Sequence, residues 1–212
     1  SCGFDQFQGA PRKQGHFAEL CAEAGVRKLV YVSAIGASKT SRSAYARTKA
    51  AAETATLEAV PTATILRPSI LFGPEDGFFT RFAELAKLAP VMPLIGGSTR
   101  FQPAYVGDVG DAVAAALART DAQGRTYELG GPRTYTMKQL LTYLTSEIDR
   151  PRILLPIPLT VAAPMGYVIG ALSRLNPFFG PPLTGDQVQL LKTHNVVGSG
   201  QPGFADLGVT QL

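Results

Sequence analysis

Tyr45 and Lys49 stand four residues apart in the stretch SRSAYARTKAAAE, residues 41–53. At i and i+4 of a helix the two side chains share one face. A free phenol titrates near 10 and is a poor acid or base at neutral pH. An ammonium beside it stabilises the phenolate and brings proton exchange with a hydroxyl or carbonyl within reach. The same ammonium can hydrogen-bond a ribose. Tyrosine and lysine each occur seven times in the 212 residues, so the spacing alone arises readily by chance and its context must decide.

The context is a set of elements able to position the pair. Residues 11–24 carry a helical pattern, with Pro11 near the start and Gly25 just past the end. RKLVYVSA is a short apolar, β-branched run typical of a parallel strand buried on both faces. The polar loop SKTSRS then leads into an Ala-rich helix from about Ser43 to Glu58, which Tyr45 and Lys49 open. TATILRPSILFG supplies a second buried strand, broken by Gly73, Pro74 and Gly77 before a helix that places Phe78, Phe82, Leu85 and Ala89 on one face. RFQPAYV and RTYELGG are predicted strands. Between them DVGDAVAAALA is a helix that Asp108 can cap, and TMKQLLTYLTSEI is a helix with Thr136 as N-cap. Alternating strands and helices of this kind mean an α/β domain with a parallel sheet. From about Asp149 the texture changes: proline and glycine become frequent and strand patterns fade, leaving a Pro-punctuated apolar segment, a short helix in TGDQVQLLKTH and a loose tail.

A strand ending in Ser33, a Tyr-x-x-x-Lys helix, then a strand ending in Arg-Pro before Phe-Gly-Pro resembles the second half of an extended or atypical short-chain dehydrogenase/reductase. The ordered segments VSAIGA, SAYARTKAAAE, ILRPSILFGPEDGFF, FQPAYVGDV, PIPL, NPF and FADLGV narrow this. They resemble the dehydrogenase-like accessory subunit of respiratory complex I and its bacterial relatives, over nearly all of residues 25–210. The resemblance implies a fold that binds a nicotinamide dinucleotide, NADPH or NADH. It also implies a place beside an energy-transducing membrane, on its cytoplasmic or matrix side, among complex I subunits and with weak or no turnover. It implies that Tyr45 and Lys49 act as the acid/base pair and also contact the cofactor, and that the backbone at Pro68, Ser69 and Ile70 lines the nicotinamide ring. Because Pro68 has no N–H, only the following amides could reach the carboxamide.

Two features depart from that pattern. The one G-x-G-x-x-G, GSGQPG at Gly198–Gly203, has only nine residues after it and Pro202 inside it. It cannot open the βαβ unit of about 30 residues that a dinucleotide loop requires. The family's first strands, its Gly-rich turn and the residue that separates NAD from NADP have no counterpart, which leaves the nicotinamide side of the site and an unpaired sheet edge. In addition, the Ser or Thr that holds a substrate oxygen falls, by strand alignment, on Ala34 or Ile35. Ser33 comes one or two positions early, so its catalytic role competes with that of a small strand-end residue.

Composition removes other classes. The residues are 45% hydrophobic and 17% charged with a net charge of +4, and no basic run with interleaved aromatics supports nucleic-acid binding. Cys2 and Cys21 match no metal spacing, His16 and His194 lack partners at ligand spacing, and no metal is expected. No secretory signal pattern opens the sequence. Ile153–Ser173 carries no charge, yet Pro156, Pro158 and Pro164 interrupt it. After Pro158 roughly 16 residues can be helical, about 24 Å, which is short for a bilayer core. The run is expected to dock on a partner or rest on a membrane surface without crossing it, flanked by Arg150, Arg152 and Arg174.

The sequence therefore predicts an α/β fold: a partial doubly wound, Rossmann-type sheet lacking its N-terminal strands over 1–150, and a small, mostly helical docking region over 151–212. The expected function is that of a nicotinamide-dinucleotide-binding accessory subunit of complex I-type assemblies. The alternative is an NAD(P)-dependent reductase or epimerase working through Tyr45 and Lys49.

Overall fold

A computed structural model describes residues 11–74, 76–162, 164 and 185–212, with the side chains of 11–15 excepted. In chain order the first elements are α1 (Pro11–Glu23), β1 (Val30–Val32), α2 (Ala44–Ala59), β2 (Thr64–Pro68), β3 (Leu71–Phe72), α3 (Phe79–Leu88), β4 (Val91–Ile95) and β5 (Arg100–Phe101). They are followed by β6 (Ala104–Tyr105), α4 (Val106–Ala118), β7 (Thr126–Leu129), β8 (Tyr135–Thr136), α5 (Met137–Glu147), β9 (Ile153–Ile157) and α6 (Gly185–Leu190). A short 3-10 turn, Ala205–Leu207, lies in the C-terminal tail.

These elements form two compact units, each assembled from separated pieces of chain. The first comprises Ser1–Ser69, Ala104–Pro132 and Val197–Leu212; the second comprises Ile70–Pro103 and Arg133–Val196. The change of composition near residue 150 falls inside the second unit.

The first unit is built on a three-stranded parallel sheet in the order β1-β2-β7. Val30 pairs with Thr64 and Val32 with Leu66, while Ile65 pairs with Thr126 and Pro68 with Leu129. The central strand is the buried one, and Ile65 and Leu66 lose nearly all contact with solvent. That is the environment a continuous apolar strand needs. β1 is at one end of this order, and Val32 stays 39% exposed. At the other end the tail covers β7: Glu128 N–H donates to the Pro202 carbonyl at 2.9 Å. α1 ends where expected. Gly25, at φ +69°, takes the left-handed conformation that costs glycine little, and Val26 N–H returns to the Cys21 carbonyl. Ser43 caps α2, its side chain accepting from Ala46 N–H at 3.3 Å.

The second unit has a core of Phe82, Ala86, Met92, Leu94, Phe101, Leu140, Leu141 and Val188. The Phe78 ring packs edge-on to Phe82 with centroids 5.1 Å apart, on the apolar face the sequence assigned to α3. A full capping box starts α5: Gln139 N–H donates to Thr136 Oγ1 and Thr136 N–H donates to Gln139 Oε1.

Three expectations change. Asp108 does not cap α4: Tyr105 holds the N-cap position without a side-chain bond, and Asp108 Oδ2 instead accepts from Leu212 N–H at 3.2 Å. Asp108 is buried within the first turn of the helix, too far along it to cap. The predicted strand at RFQPAYV is two short ones, β5 and β6, separated by Gln102 and Pro103. The strands also do not end at Asp149. Ile153–Ile157 forms β9, parallel to β4, with Val91 facing Ile153 and Ile95 facing Ile157. The sequence hid this pair because Pro93 and Pro156 lie within it, and proline is admitted only where a strand lacks a neighbour on its N–H side. Beyond Pro158, residues 159–162 and 164 are helical. Residues 163 and 165–173 of the uncharged run lie outside the described residues. No helix among the described residues is long and apolar enough to cross a membrane.

Candidate functional site

In the first unit three parallel strands end together: β1 at Val32, β2 at Pro68 and β7 at Leu129. Carboxyl ends of parallel strands are where open α/β sheets bind ligands. Ser33 follows β1, Pro68 and Ser69 close β2, and the α2 helix brings Tyr45 and Lys49 to the same end.

Lys49 is the pivot. Its Nζ donates to the Val32 carbonyl at 3.3 Å. The same atom lies 5.6 Å from the ring centroid of Tyr31 and 5.9 Å from that of Tyr45, within cation–π range of both. Burial pushes the Lys49 ammonium below its ordinary value, and the negative charge of Glu53 opposes that shift. Burial also pushes the Tyr45 phenol up. Tyr31 is pushed up to about 12, first by burial and then by the nearby Glu53 and Tyr45. Burial thus favours the neutral form of the Tyr45 phenol.

Ser33 is 4% exposed, and its Oγ has no hydrogen-bond partner among the described residues. Its N–H donates to the Leu66 carbonyl at 2.7 Å, fixing the strand end. Leaving a buried hydroxyl unpaired costs on the order of 1–3 kcal/mol, so such an atom is a place to look for a ligand. The two positions that strand alignment offered instead are Ala34 and the buried Ile35, whose N–H donates to the Pro68 carbonyl.

The amides after Pro68 are committed elsewhere. Ser69 N–H donates to the Leu129 carbonyl at 2.9 Å. Ile70 belongs to the second unit, where its N–H donates to Asn195 Oδ1 at 3.1 Å.

Sequence reasoning missed an ionic cluster under the helix. Arg67 Nε and Nη2 donate to the two carboxylate oxygens of Glu53 at 2.9 and 2.7 Å. Arg67 Nη1 lies 3.6 Å from Glu128 Oε1, and Glu128 Oε2 accepts from Gly198 N–H at 2.8 Å. The signal was present: Tyr45, Lys49 and Glu53 recur every four residues along one helix face. The GSGQPG turn is explained by the same cluster. It lies against β7, and a Cβ at Gly203 would come 3.1 Å from the Glu128 carbonyl oxygen. No helix opens from it, only the 3-10 turn.

The remaining candidates are structural. Cys21 is a buried free thiol, while Cys2 lies outside the described residues. His16 Nδ1 is 3.5 Å from Glu19 Oε2 on the surface, and exposed His194 accepts the Arg100 N–H at 3.1 Å. Among the described residues no group of His, Cys, Asp or Glu could hold a metal ion.

Comparison with known proteins gives a consistent picture. The chain is 38% identical over 204 residues to NADH dehydrogenase (ubiquinone) 1 alpha subcomplex subunit 9, mitochondrial, of Arabidopsis thaliana, covering 91% of this chain and 50% of that protein. The protein of the same name from Mus musculus is 36% identical over 206 residues, covering 97% of this chain and 52% of the relative. The chain therefore spans about half the length of these relatives. In fold it is similar to an NADPH-dependent quinone oxidoreductase from Escherichia coli solved with NADPH, with a TM-score of 0.68 and 19% identity over 94% of this chain and 67% of the other. Residues 14–130, the span that carries Ser33, Tyr45, Lys49, Glu53 and Arg67, match the profile described as the NAD dependent epimerase/dehydratase family, and on that match over more than half its length the chain belongs to this family.

Proposed function

We propose that this chain is part of a dehydrogenase-like accessory subunit of complex I-type respiratory assemblies, and that the whole protein carries a nicotinamide dinucleotide as a structural ligand. The relatives' names support the assembly, and the family supports the ligand class. The observation that carries the reading is the position of Lys49 Nζ, held between two phenol rings at the carboxyl ends of parallel strands.

The donor set suits such a ligand. Lys49 offers N–H donors to a ribose hydroxyl, Tyr45 offers its hydroxyl, and Ser33 Oγ is buried and unpartnered among the described residues. The backbone at Pro68 and Ser69 would line the ring side without donating from the Ser69 amide, which is engaged by the Leu129 carbonyl. When bound, the dinucleotide would supply a hydride donor or acceptor. NADPH and NADH both fit this description. Burial raises the Tyr45 phenol, the opposite of what proton transfer at neutral pH needs.

The partners would be complex I subunits or a membrane surface met through residues 153–173, in a peripheral place on the cytoplasmic or matrix side. In the described part of that run Ile153, Leu155 and Val161 are 69%, 53% and 54% exposed. Arg150 beside them is exposed as well. Arg152 instead donates its Nε to the Ala86 carbonyl at 2.7 Å, and exposed apolar side chains beside the Arg150 guanidinium suit either partner.

A second reading is favoured by the unpartnered Ser33 Oγ: a reductase or epimerase in which Ser33 holds a substrate oxygen, Tyr45 passes the proton and Lys49 activates it. Denaturing the purified full-length protein and measuring released nucleotide by mass spectrometry tests the leading reading. Stoichiometric NADPH or NADH is expected, and a nucleotide-free, fully folded protein would overturn it. A substrate-dependent change in cofactor absorbance would favour the second reading.

A further inference from the structure

The cluster beneath α2 has a role to explain. Tyr45, Lys49 and Glu53 occupy successive turns of one helix face. Glu53 is buried, and both of its oxygens are taken by the Arg67 fork from β2. A bidentate guanidinium fixes a carboxylate in direction as well as distance. Arg67 is itself held by Glu128 of β7, whose second oxygen is held by the Gly198 amide. The Glu53 carboxylate is thus anchored across the helix–sheet interface and cannot swing toward solvent.

We propose that Glu53 is a positioning residue for Lys49: fixed by Arg67, its carboxylate keeps the Lys49 ammonium charged and donor-competent at the carboxyl end of the sheet. This rests on reading Lys49 as a nucleotide contact. Around Lys49 stand the Tyr31 ring and Val32 carbonyl from β1 and the Tyr45 ring and Glu53 carboxylate from α2. Among these groups Glu53 carries the formal charge, with Arg67 and Glu128 behind it. Burial works against an ammonium, and an opposite charge one turn away offsets it. Two phenol rings hold the group by their faces yet cannot replace a full negative charge.

A plain staple between α2 and β2 would need the Glu53–Arg67 pair but would leave the charge of Lys49 alone, and this separates the two roles. The native 212-residue chain is acetylated competitively with trace acetic anhydride from neutral to alkaline pH, and the Lys49 peptide is read by mass spectrometry. In Glu53→Gln the Lys49 labelling midpoint is expected to move to lower pH, with labelling severalfold faster at mildly alkaline pH. The other lysines should be unchanged, and Glu53→Asp should stay near wild type. An unchanged midpoint in Glu53→Gln overturns the proposal. So does a higher plateau at an unchanged midpoint, which reports exposure only. If circular dichroism shows that Glu53→Gln does not fold, the charge-matched Glu53→Gln/Arg67→Gln variant carries the same test: a lowered midpoint supports the proposal and an unchanged one overturns it. Protection of Lys49 by NADPH in the full-length protein tests the underlying reading separately. Its absence in wild type counts against the nucleotide contact while leaving the Glu53 comparison intact.

Discussion

At the scale of single residues, the site divides into groups that hold and groups that are held. Lys49 offers charge-assisted donation, worth on the order of 1.5–3 kcal/mol where it meets a ligand. Tyr45 offers a hydroxyl on a ring that also packs. In the full-length protein Lys49→Ala is therefore expected to lose more bound nucleotide than Tyr45→Phe, measured as nucleotide per protein after gel filtration. Equal retention in wild type and both variants would place the pair away from the nucleotide. Tyr31 gives a pH prediction that needs no ligand. Its phenol is raised from 10.0 to about 12, so the folded state favours the neutral form. The stabilisation from that difference is fully present below the unfolded value, falls away as pH rises past it, and is gone above the folded value. The chain has no tryptophan, so tyrosinate absorbance reads cleanly. A late-titrating component is expected in wild type and should shrink in Tyr31→Phe, leaving the part that the raised Tyr45 phenol contributes; a late component of unchanged size in Tyr31→Phe would contradict this.

At the scale of elements, caps and patterns decide where helices begin, and the sequence states many of them openly. Ser43, Gly25 and the Thr136/Gln139 box are local signals, because each is satisfied within a few residues. Thr136→Ala is expected to cost about 1 kcal/mol, seen as a lowered urea midpoint with unchanged slope. A midpoint equal to wild type would mean that the tertiary contacts of α5 outweigh its cap. The ionic link between α2 and β2 is not local. Arg67→Ala leaves the buried Glu53 carboxylate without its fork. Stripping one partner from a buried pair costs about 3–5 kcal/mol, so a large loss of stability is expected for Arg67→Ala in the same urea titration, and a loss below about 1 kcal/mol would show the pair to be solvated. The pairing of β4 with β9 was illegible for the same reason: about sixty residues separate Val91 from Ile153, and no local rule joins a proline-bearing run to a distant one.

At the scale of the whole molecule, function is spread over segments that a short motif does not reach. Among the described residues no G-x-G-x-x-G turn joins a strand to a helix. Calorimetric titration of the chain with NADPH is accordingly expected to show weak or no binding, and a dissociation constant below about micromolar would contradict that. The apolar surface at Ile153, Leu155 and Val161 predicts a second behaviour. Membrane-associated protein should be released by carbonate or high-salt washing, as a peripheral protein is. Retention in the pellet under carbonate would mean an integral anchor.

The sequence by itself determined the α/β class, the helix that presents Tyr45 and Lys49, and the strands on either side of it, of which β2 is buried as expected while β1, with Val32 exposed, is not. Each depends on local physics: periodicity, caps, β-branched runs and the i, i+4 geometry of a helix. The tertiary structure alone decided which groups surround Lys49, that Ser33 Oγ is buried without a partner among the described residues, and that Glu53 is locked by Arg67. It also decided that GSGQPG seals the β7 edge and that Asp108 accepts from Leu212 instead of capping α4. These depend on residues 14 to 104 positions apart in the chain. Burial, which sets the direction of the Tyr31, Tyr45 and Lys49 shifts, exists only once those distant segments have packed.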